Sequence, residues 1–234
     1  MVTGDAAVAH HFSSCAELLL ACLRLVGSDE SAIACKAKQV FTTLSKQGDA
    51  ATVLISPPVI NEMKIVATKN DTVRFRLYEI IIAVCCTSNC MLLSVDETGF
   101  LEPLLRDVNS TDILVQLNAL ELLGDLASHQ HGRDYFLQKE ILQKLSDKLS
   151  LSVSDVFASL VVPGLLKFLG TFAYHQPEML GEYPAFTDTL FSLIQDSDLS
   201  VQIVAIETVS FISTGDRGRK TLHKILGNHI LNSS

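Results

Sequence analysis

An apolar pattern with helical spacing recurs about every 42 residues along this chain of 234 residues. Each copy begins with a β-branched residue and continues with apolar residues four, eight and eleven positions later. These spacings place the four side chains on one face of an α-helix. The five copies consist of Ile33, Ala37, Phe41 and Leu44; Val73, Leu77, Ile81 and Val84; Val115, Ala119, Leu123 and Leu126; Val161, Leu165, Leu169 and Phe172; and Val201, Ala205, Val209 and Ile212.

The copies are offset by 40, 42, 46 and 40 residues, a helical period that is typical of armadillo and HEAT arrays. The pattern therefore predicts an all-α fold: an armadillo/HEAT-like α-solenoid of about five repeats, wound as a right-handed superhelix and forming a segment of a longer array. Because stacked repeats share a continuous core, we predict a single domain over residues 1–234. The predicted repeat cores lie near 17–67, 70–107, 110–149, 154–195 and 198–231.

Each repeat is predicted to contain the patterned helix, then a break, then a second amphipathic helix. The second helices are expected near 59–67, 99–106, 138–149, 184–195 and 219–231. Gly132 and Gly218 follow two of the patterns at the same distance, and glycine just past a helix commonly adopts the left-handed conformation that ends it. Pro163 lies inside the fourth pattern and lacks a backbone donor, so it predicts a kink or a late helix start.

Composition and charge argue against two classes of partner. A formal net charge of −8 disfavours phosphate backbones, and 6% aromatic residues without Trp offer few stacking platforms, so we expect no nucleic acid partner. The most apolar stretch, residues 151–174, contains Pro163 and Lys167 and keeps the repeat pattern. This favours a buried helix, and no membrane partner is expected.

Six cysteines without a secretory signal peptide indicate free thiols in a reducing compartment.

The densest cluster of potential metal ligands comprises Asp125, His129, His131 and Asp134. A His-x-His pair can bind zinc when further ligands converge on it, but this pair falls where the repeat predicts a helix end. We interpret it as a polar turn, with a zinc site as the alternative. The chain contains no Cys-x-x-Cys pair, nucleophile elbow or phosphate-binding loop. The sequence therefore predicts no enzyme activity, no metal or cofactor and no small-molecule substrate.

Arg74 and Arg76 flank Phe75 at the beginning of the second patterned helix, close to Asp71. An acid, Val and Arg in this order are typical of HEAT-like repeats, in which they form a ladder between adjacent repeats. We therefore interpret Asp71 and Arg74 as structural contacts to neighbouring repeats. The alternative is a basic and aromatic hot spot for a protein partner.

Four strings along the chain resemble one known family. They are Lys69-Asn-Asp-Thr-Val-Arg-Phe-Arg-Leu-Tyr-Glu-Ile-Ile-Ile, His131-Gly-Arg-Asp-Tyr, Pro163-Gly-Leu-Leu-Lys-Phe-Leu-Gly and Glu182-Tyr-Pro-Ala-Phe. Their order and separations also match, and the likeness covers most of residues 15–225. On these strings the chain resembles the proteasome non-ATPase regulatory subunit five family, whose chains are longer.

The resemblance implies a dedicated chaperone for assembly of the proteasome regulatory particle. Such a protein is expected to bind the C-terminal region of one ATPase subunit of the regulatory-particle base. It holds a base subcomplex and prevents premature docking on the core particle. We expect a cytoplasmic or nuclear location. The alternative is a generic armadillo/HEAT scaffold for another partner, although the chain lacks the Trp and the regular Asn residues that such peptide-binding scaffolds use.

The second helices are the candidates for the partner-binding surface, because a solenoid exposes one helix of each repeat along its concave face. Their polar residues are Glu62, Lys64, Arg106, Gln143, Lys144, Lys148, Asp188 and Gln195. Because the chain is acidic, basic patches on the partner should speed association, and salt should weaken it.

Overall fold

The computed structural model describes residues 15–153 and 158–232, and within these ranges it contains α-helices and one 3₁₀-helix but no β-strand. The predicted all-α fold class is confirmed. The chain divides into two compact units, Met1–Ser110 and Thr111–Ser234. The single domain over residues 1–234 stays a prediction.

The described helices of the unit Met1–Ser110 are α1 (Ala16–Val26), α2 (Ser31–Leu44), α3 (Gly48–Leu54), α4 (Pro57–Ala67), α5 (Asp71–Cys85), α6 (Asn89–Glu97) and α7 (Leu101–Asp107). Those of the unit Thr111–Ser234 are α8 (Ile113–Ala127), α9 (Gln130–Gln138), α10 (Ile141–Ser152), α11 (Val162–His175), α12 (Met179–Glu182), α13 (Pro184–Leu193), α14 (Leu199–Thr214) and α15 (Asp216–Asn232). The 3₁₀-helix Ala158–Val161 precedes α11.

Three kinds of helix alternate along the chain. The patterned helices are α2, α5, α8, α11 and α14, and they contain the recurring apolar residues. The short helices α3, α6, α9 and α12 follow the first four of them, and the closing helices α4, α7, α10 and α13 complete these four repeats. The closing helices lie close to the predicted second helices. In the first four repeats the predicted break before them is wrong, because a short helix occupies that place and gives each of these repeats the three helices found in armadillo units. In the fifth repeat the break at Gly215 and the second helix, α15, are as predicted.

The pattern residues form the core of both units. All of them are buried except Ile33, which is 45% exposed, and Val209, which is half-buried. Burying a large aliphatic or aromatic side chain contributes about 1.5–3 kcal/mol. The repeated apolar face is therefore a main source of the free energy of folding, and it leaves the opposite face of each patterned helix available to solvent.

Gly132 and Gly218 do not end helices, so this prediction is wrong. Gly132 lies inside α9 and Gly218 inside α15, and neither has a left-handed backbone. A Cβ on Gly132 would lie 2.0 Å from the carbonyl oxygen of Leu126, and a Cβ on Gly218 would lie 2.1 Å from that of Ile212. Leu126 and Ile212 are the last pattern residues of their helices. Glycine is needed because the following helix crosses against the backbone of the patterned helix.

Pro163 produces a late helix start, as predicted. It lies in the first turn of α11, where a missing backbone N–H leaves no helical hydrogen bond unmade. From Val162 onwards the apolar stretch forms a helix whose core residues include Leu165, Leu169 and Phe172. The predicted start of the fourth repeat near residue 154 lies outside the described residues.

The N-caps of four patterned helices occupy the same place in the repeat, three residues before the first pattern residue. The Asn70 side chain accepts a hydrogen bond from the Val73 amide at 2.9 Å, and Asp112 and Asp198 cap α8 and α14 in the same manner. Glu30 stands at this place before α2 and makes no side-chain capping bond. The polar turns therefore begin three of these helices by capping free amides.

Within the described residues, no single helix is long and apolar enough to cross a membrane. The bent pair α3 and α4 passes the length and composition test together, with an angle of 57° between the two helices. Core helices of soluble proteins pass the same test. Both helices bury apolar side chains within the unit, among them Leu54, Ile60 and Met63.

Candidate protein-binding surface

The patterned helices present a polar face on the side opposite to the core. The residues six positions after the first pattern residue lie on this face, and all are exposed except the half-buried Glu79. They are Gln39, Glu79, Glu121, Lys167 and Glu207. Helical geometry explains this column, since six residues correspond to a rotation that points away from the pattern positions. Three of the five side chains are acidic.

Ion pairs connect neighbouring patterned helices on this face. Lys38 of α2 pairs with Glu79 of α5, and Lys167 of α11 lies 3.4 Å from Glu121 of α8. Both partners of the second pair are mostly exposed. Exposed ion pairs of this kind contribute about 0–1 kcal/mol. Separating Glu121 from Lys167, so that each can contact a charged group of a partner protein, should therefore cost little free energy.

A groove of about 250 Å³ runs between α8 and α11. Gly124 and Gly164 line it, and a Cβ on Gly124 would meet no atom within 4 Å, so the missing side chain contributes to its open space. The polar side chains along the groove belong to Glu121, Asp125, Ser128, Lys167 and Thr171, and the apolar ones to Leu117, Leu120 and Phe168. A concave surface with an apolar floor and charged walls is suited to a side chain of a partner protein.

An aromatic pair lies further along the same face of α11. The rings of Tyr174 and Phe211 stack with centroids 4.5 Å apart and an angle of 19° between the planes. Phe211, on α14, is 43% exposed. Exposed aromatic side chains are enriched among the residues that dominate binding energy at protein interfaces. We define the patterned-helix face of this unit as Glu121, Asp125, Lys167, Tyr174 and Phe211.

The residues of the patterned-helix face are not among those predicted from the sequence to bind a partner. The sequence signal that could have identified them is their place in the repeat, six and ten residues after the first pattern residue and away from the apolar face. Glu121 and Asp125 occupy these two positions in α8, and Lys167 and Phe211 occupy one each in α11 and α14. The stacking of Tyr174 on Phe211 depends on the packing of two helices and has no signature in the sequence.

The structure places the partner-binding residues predicted from the sequence on the closing helices, except Gln195, which lies just past α13. Three of the eight lie in the unit Met1–Ser110 and five in the unit Thr111–Ser234. Several already have partners within the chain. Glu62 accepts from Arg24 at 2.7 Å, and the Lys64 ammonium donates to the Thr98 carbonyl at 2.8 Å.

The other predicted residues are exposed except Lys148. Arg106 pairs with Glu102 at 3.1 Å, and the Gln143 amide donates to Asp147 at 2.8 Å. Burial lowers the pKa of the half-buried Lys148. Lys144, Asp188 and Gln195 are exposed. These eight residues stay a prediction for the partner surface.

Arg74 has a structural role that differs from the predicted ladder. Its guanidinium bonds Asp107 at 2.7 Å and Asp71 at 2.8 Å, both within its own repeat. Burial raises the pKa of the Asp107 carboxyl, and the hydrogen bond from Arg74 opposes this shift. The contact to the preceding repeat comes from Arg76, which donates to the carbonyl oxygens of Val26 at 3.2 Å and Ser28 at 3.4 Å.

The groups proposed as metal or redox sites do not converge. The rings of His129 and His131 lie 5.6 Å apart, and the described residues contain no group of three or more His, Cys, Asp or Glu side chains that could hold a metal ion. All six cysteines are free, as predicted. Burial raises the pKa of the Cys85 thiol, which makes it a poor nucleophile.

Comparisons with known proteins agree on one family. The sequence profile described as Proteasome non-ATPase 26S subunit matches residues 4–232. The chain is 30% identical over 211 residues to the human protein named 26S proteasome non-ATPase regulatory subunit 5, covering 89% of this chain and 42% of that protein. The Drosophila melanogaster protein of the same name is 31% identical over 156 residues, which is 66% of this chain and 30% of that protein.

Solved structures with a similar fold are designed armadillo repeat proteins. One was designed for modular peptide recognition and matches with a TM-score of 0.52 and 15% identity, covering 88% of this chain and 92% of that protein. Another was solved in complex with a (KR)4 peptide and matches with a TM-score of 0.55 and 16% identity, covering 88% and 87%. At this identity the likeness concerns the fold alone, and it agrees with the armadillo-like solenoid expected from the repeat.

Proposed function

Because this chain belongs to the Proteasome non-ATPase 26S subunit family, we propose that it is an assembly chaperone of the proteasome regulatory particle. It binds the C-terminal region of one ATPase subunit of the regulatory-particle base and prevents premature docking on the core particle. Family membership over residues 4–232 is the observation that carries this proposal. The chain spans 42% of the length of the human relative, so its partner and its activity are proposals.

The patterned-helix face supports a protein-binding role. It combines a groove, exposed charges and an aromatic pair on helices that the core holds in place. Its acidic members Glu121 and Asp125, together with the net charge of −8, favour a basic segment on the partner. The role we propose is non-catalytic, in the cytoplasm or nucleus, and imaging of the tagged chain in cells would check the location.

Binding of the whole chain to the isolated C-terminal domain of each proteasomal ATPase tests the proposal. We expect one domain to bind selectively. Raising the ionic strength should slow association, because the partner's basic segment meets an acidic surface. Equal binding to all the domains, or binding to none by a folded chain, would contradict the proposed function.

Charge-reversal variants identify the surface. We expect Glu121→Lys and Asp125→Lys, combined, to weaken binding roughly tenfold, which corresponds to about 1.4 kcal/mol. Lys144→Glu and Asp188→Lys on the closing helices are the comparison variants, because both residues are also exposed. If the comparison variants weaken binding and the first pair does not, the partner binds the closing helices as predicted from the sequence.

The second candidate is a generic armadillo scaffold for a protein outside the proteasome. The observation in its favour is that the designed armadillo proteins share this fold without any proteasomal origin. The binding series above separates the two, since a scaffold of that kind would bind none of the ATPase domains selectively.

A further inference from the structure

One face of α14 is apolar and exposed. Ile203 and Ile206 are 46% and 48% exposed, and they lie two and five residues after Val201, the first pattern residue of this helix. Ser210, nine residues after Val201, is exposed on the same face. These three positions lie between the core and the polar face of the helix.

On α8 and α11 the next patterned helix contacts such positions. Leu117 and Leu120 stand two and five residues after Val115, and Gly164 of α11 packs on them so closely that a Cβ would lie 2.8 and 3.3 Å away. Gly170, nine residues after Val161, faces Thr208 of α14, seven residues after Val201. Positions two and five of α8 thus pack against position three of α11, and position nine of α11 packs against position seven of α14.

The complementary positions are uncovered on α2. Lys36 and Val40 stand three and seven residues after Ile33, and they line an open groove of about 480 Å³. The other residues that line this groove are apolar apart from the Cys22 thiol. They are Cys22, Leu25, Ala32, Ile33 and Ala37. Ile33 is the pattern residue with the largest exposure, which is explained if a helix normally covers this groove.

The charges at these two faces are also complementary. In α5, Arg76 occupies the place of Lys36 and donates to the carbonyl oxygens of Val26 and Ser28, seven and five residues before Ile33. The residues seven and five positions before Val201 are Ile194 and Asp196. A helix stacked on α14 in the manner of the internal repeats would bring the Lys36 ammonium to the acidic turn that contains Asp196.

We propose that this chain associates head to tail with a second copy of itself, with α2 of one copy stacked on α14 of the next. Ile203 and Ile206 then pack against Lys36 and Val40 as one repeat packs on another. The contact is heterologous, so it adds further copies and produces open chains or closed rings. This inference does not depend on the proposed function.

Light scattering of the purified chain at increasing concentration tests the association. We expect the average mass to rise above that of one chain, and Ile206→Glu to keep it at the mass of one chain. Ile65→Glu is the matched control: Ile65 is 65% exposed on α4, which is part of neither proposed contact helix, and this variant should associate like the unchanged protein. Circular dichroism of both variants verifies folding. A constant single-chain mass, or equal loss with Ile65→Glu, would overturn the proposal.

A site-directed disulfide tests the register. An ideal Cβ on Gly170 would lie 3.8 Å from the Thr208 Cβ, which is the usual separation in a disulfide. The equivalent pair between copies is Ser210 and Val40. In a background with Cys15, Cys22, Cys35 and Cys90 replaced, mixing the single variants Ser210→Cys and Val40→Cys under oxidation should yield a cross-linked pair. If the mixture forms no more cross-linked pair than either single variant alone, the proposed stacking is overturned.

Discussion

At Gly132, the space available to one carbon atom determines how α9 crosses the end of α8. The hydrogen of glycine fits beneath the Leu126 carbonyl, whereas a Cβ would lie 2.0 Å from that oxygen. Gly218 repeats this contact with Ile212. The same requirement at equivalent places indicates that α9 and α15 cross the ends of the preceding patterned helices in the same way.

The first prediction concerns this contact. Gly132→Ala should lower the free energy of unfolding by about 1–3 kcal/mol, because the helix must move to admit the methyl group. Gly124→Ala is the control: Gly124 is also helical, has open space around it and should be stabilised by roughly 0.5–1 kcal/mol. Urea unfolding of both variants provides the measurement. Equal effects would show that the close approach at Gly132 is not maintained in solution.

At the scale of single elements, the beginning of each patterned helix depends on the capping position. Asn70, Asp112 and Asp198 cap their helices with side-chain oxygens, whereas Glu30 does not. Short oxygen-bearing side chains can reach the free amides of the first turn, and a glutamate at this position did not form that bond.

The second prediction follows from this difference. Asn70→Ala should cost about 1 kcal/mol of the free energy of unfolding, because the Val73 amide loses its acceptor. Glu30→Ala, at the equivalent place before α2, should change it by no more than a few tenths. Chemical denaturation of the two variants compares them directly, and a larger loss in Glu30→Ala would contradict the capping argument.

At the scale of the whole molecule, the two compact units raise the question of cooperativity. Repeats in a solenoid contact their neighbours, so stability is approximately a sum of local terms. The contacts of this chain cluster within Met1–Ser110 and within Thr111–Ser234. A local destabilisation should therefore remain mostly within one unit.

The third prediction is a hydrogen-exchange pattern. In the Gly132→Ala variant, amide exchange should accelerate in α8–α14, while α2–α7 should keep the protection of the unchanged protein. The Gly124→Ala variant should show no acceleration in either set. If exchange accelerates equally in both units, the chain unfolds as one cooperative body, and the single domain predicted over residues 1–234 is supported instead.

The sequence by itself determined the patterned helices and the side of each one that faces the core. Helix formation depends here on local features: the spacing of pattern residues such as Val115, Ala119 and Leu123, and the oxygen-bearing cap before each helix. The apolar face that this spacing creates must be buried wherever the helix packs. Pro163 produced its predicted late start for the same reason, since a missing backbone donor acts locally. The family resemblance rests on contiguous strings and was equally accessible.

Only the tertiary structure decided which residues of different helices meet. The groove beside Gly124, the stacking of Tyr174 on Phe211 and the pairing of Arg74 with Asp107 join residues about 30–45 positions apart. The need for glycine at position 132 is set by the α9 crossing. These contacts depend on the offset and crossing angle between helices, and the apolar period specifies a buried face without specifying either quantity.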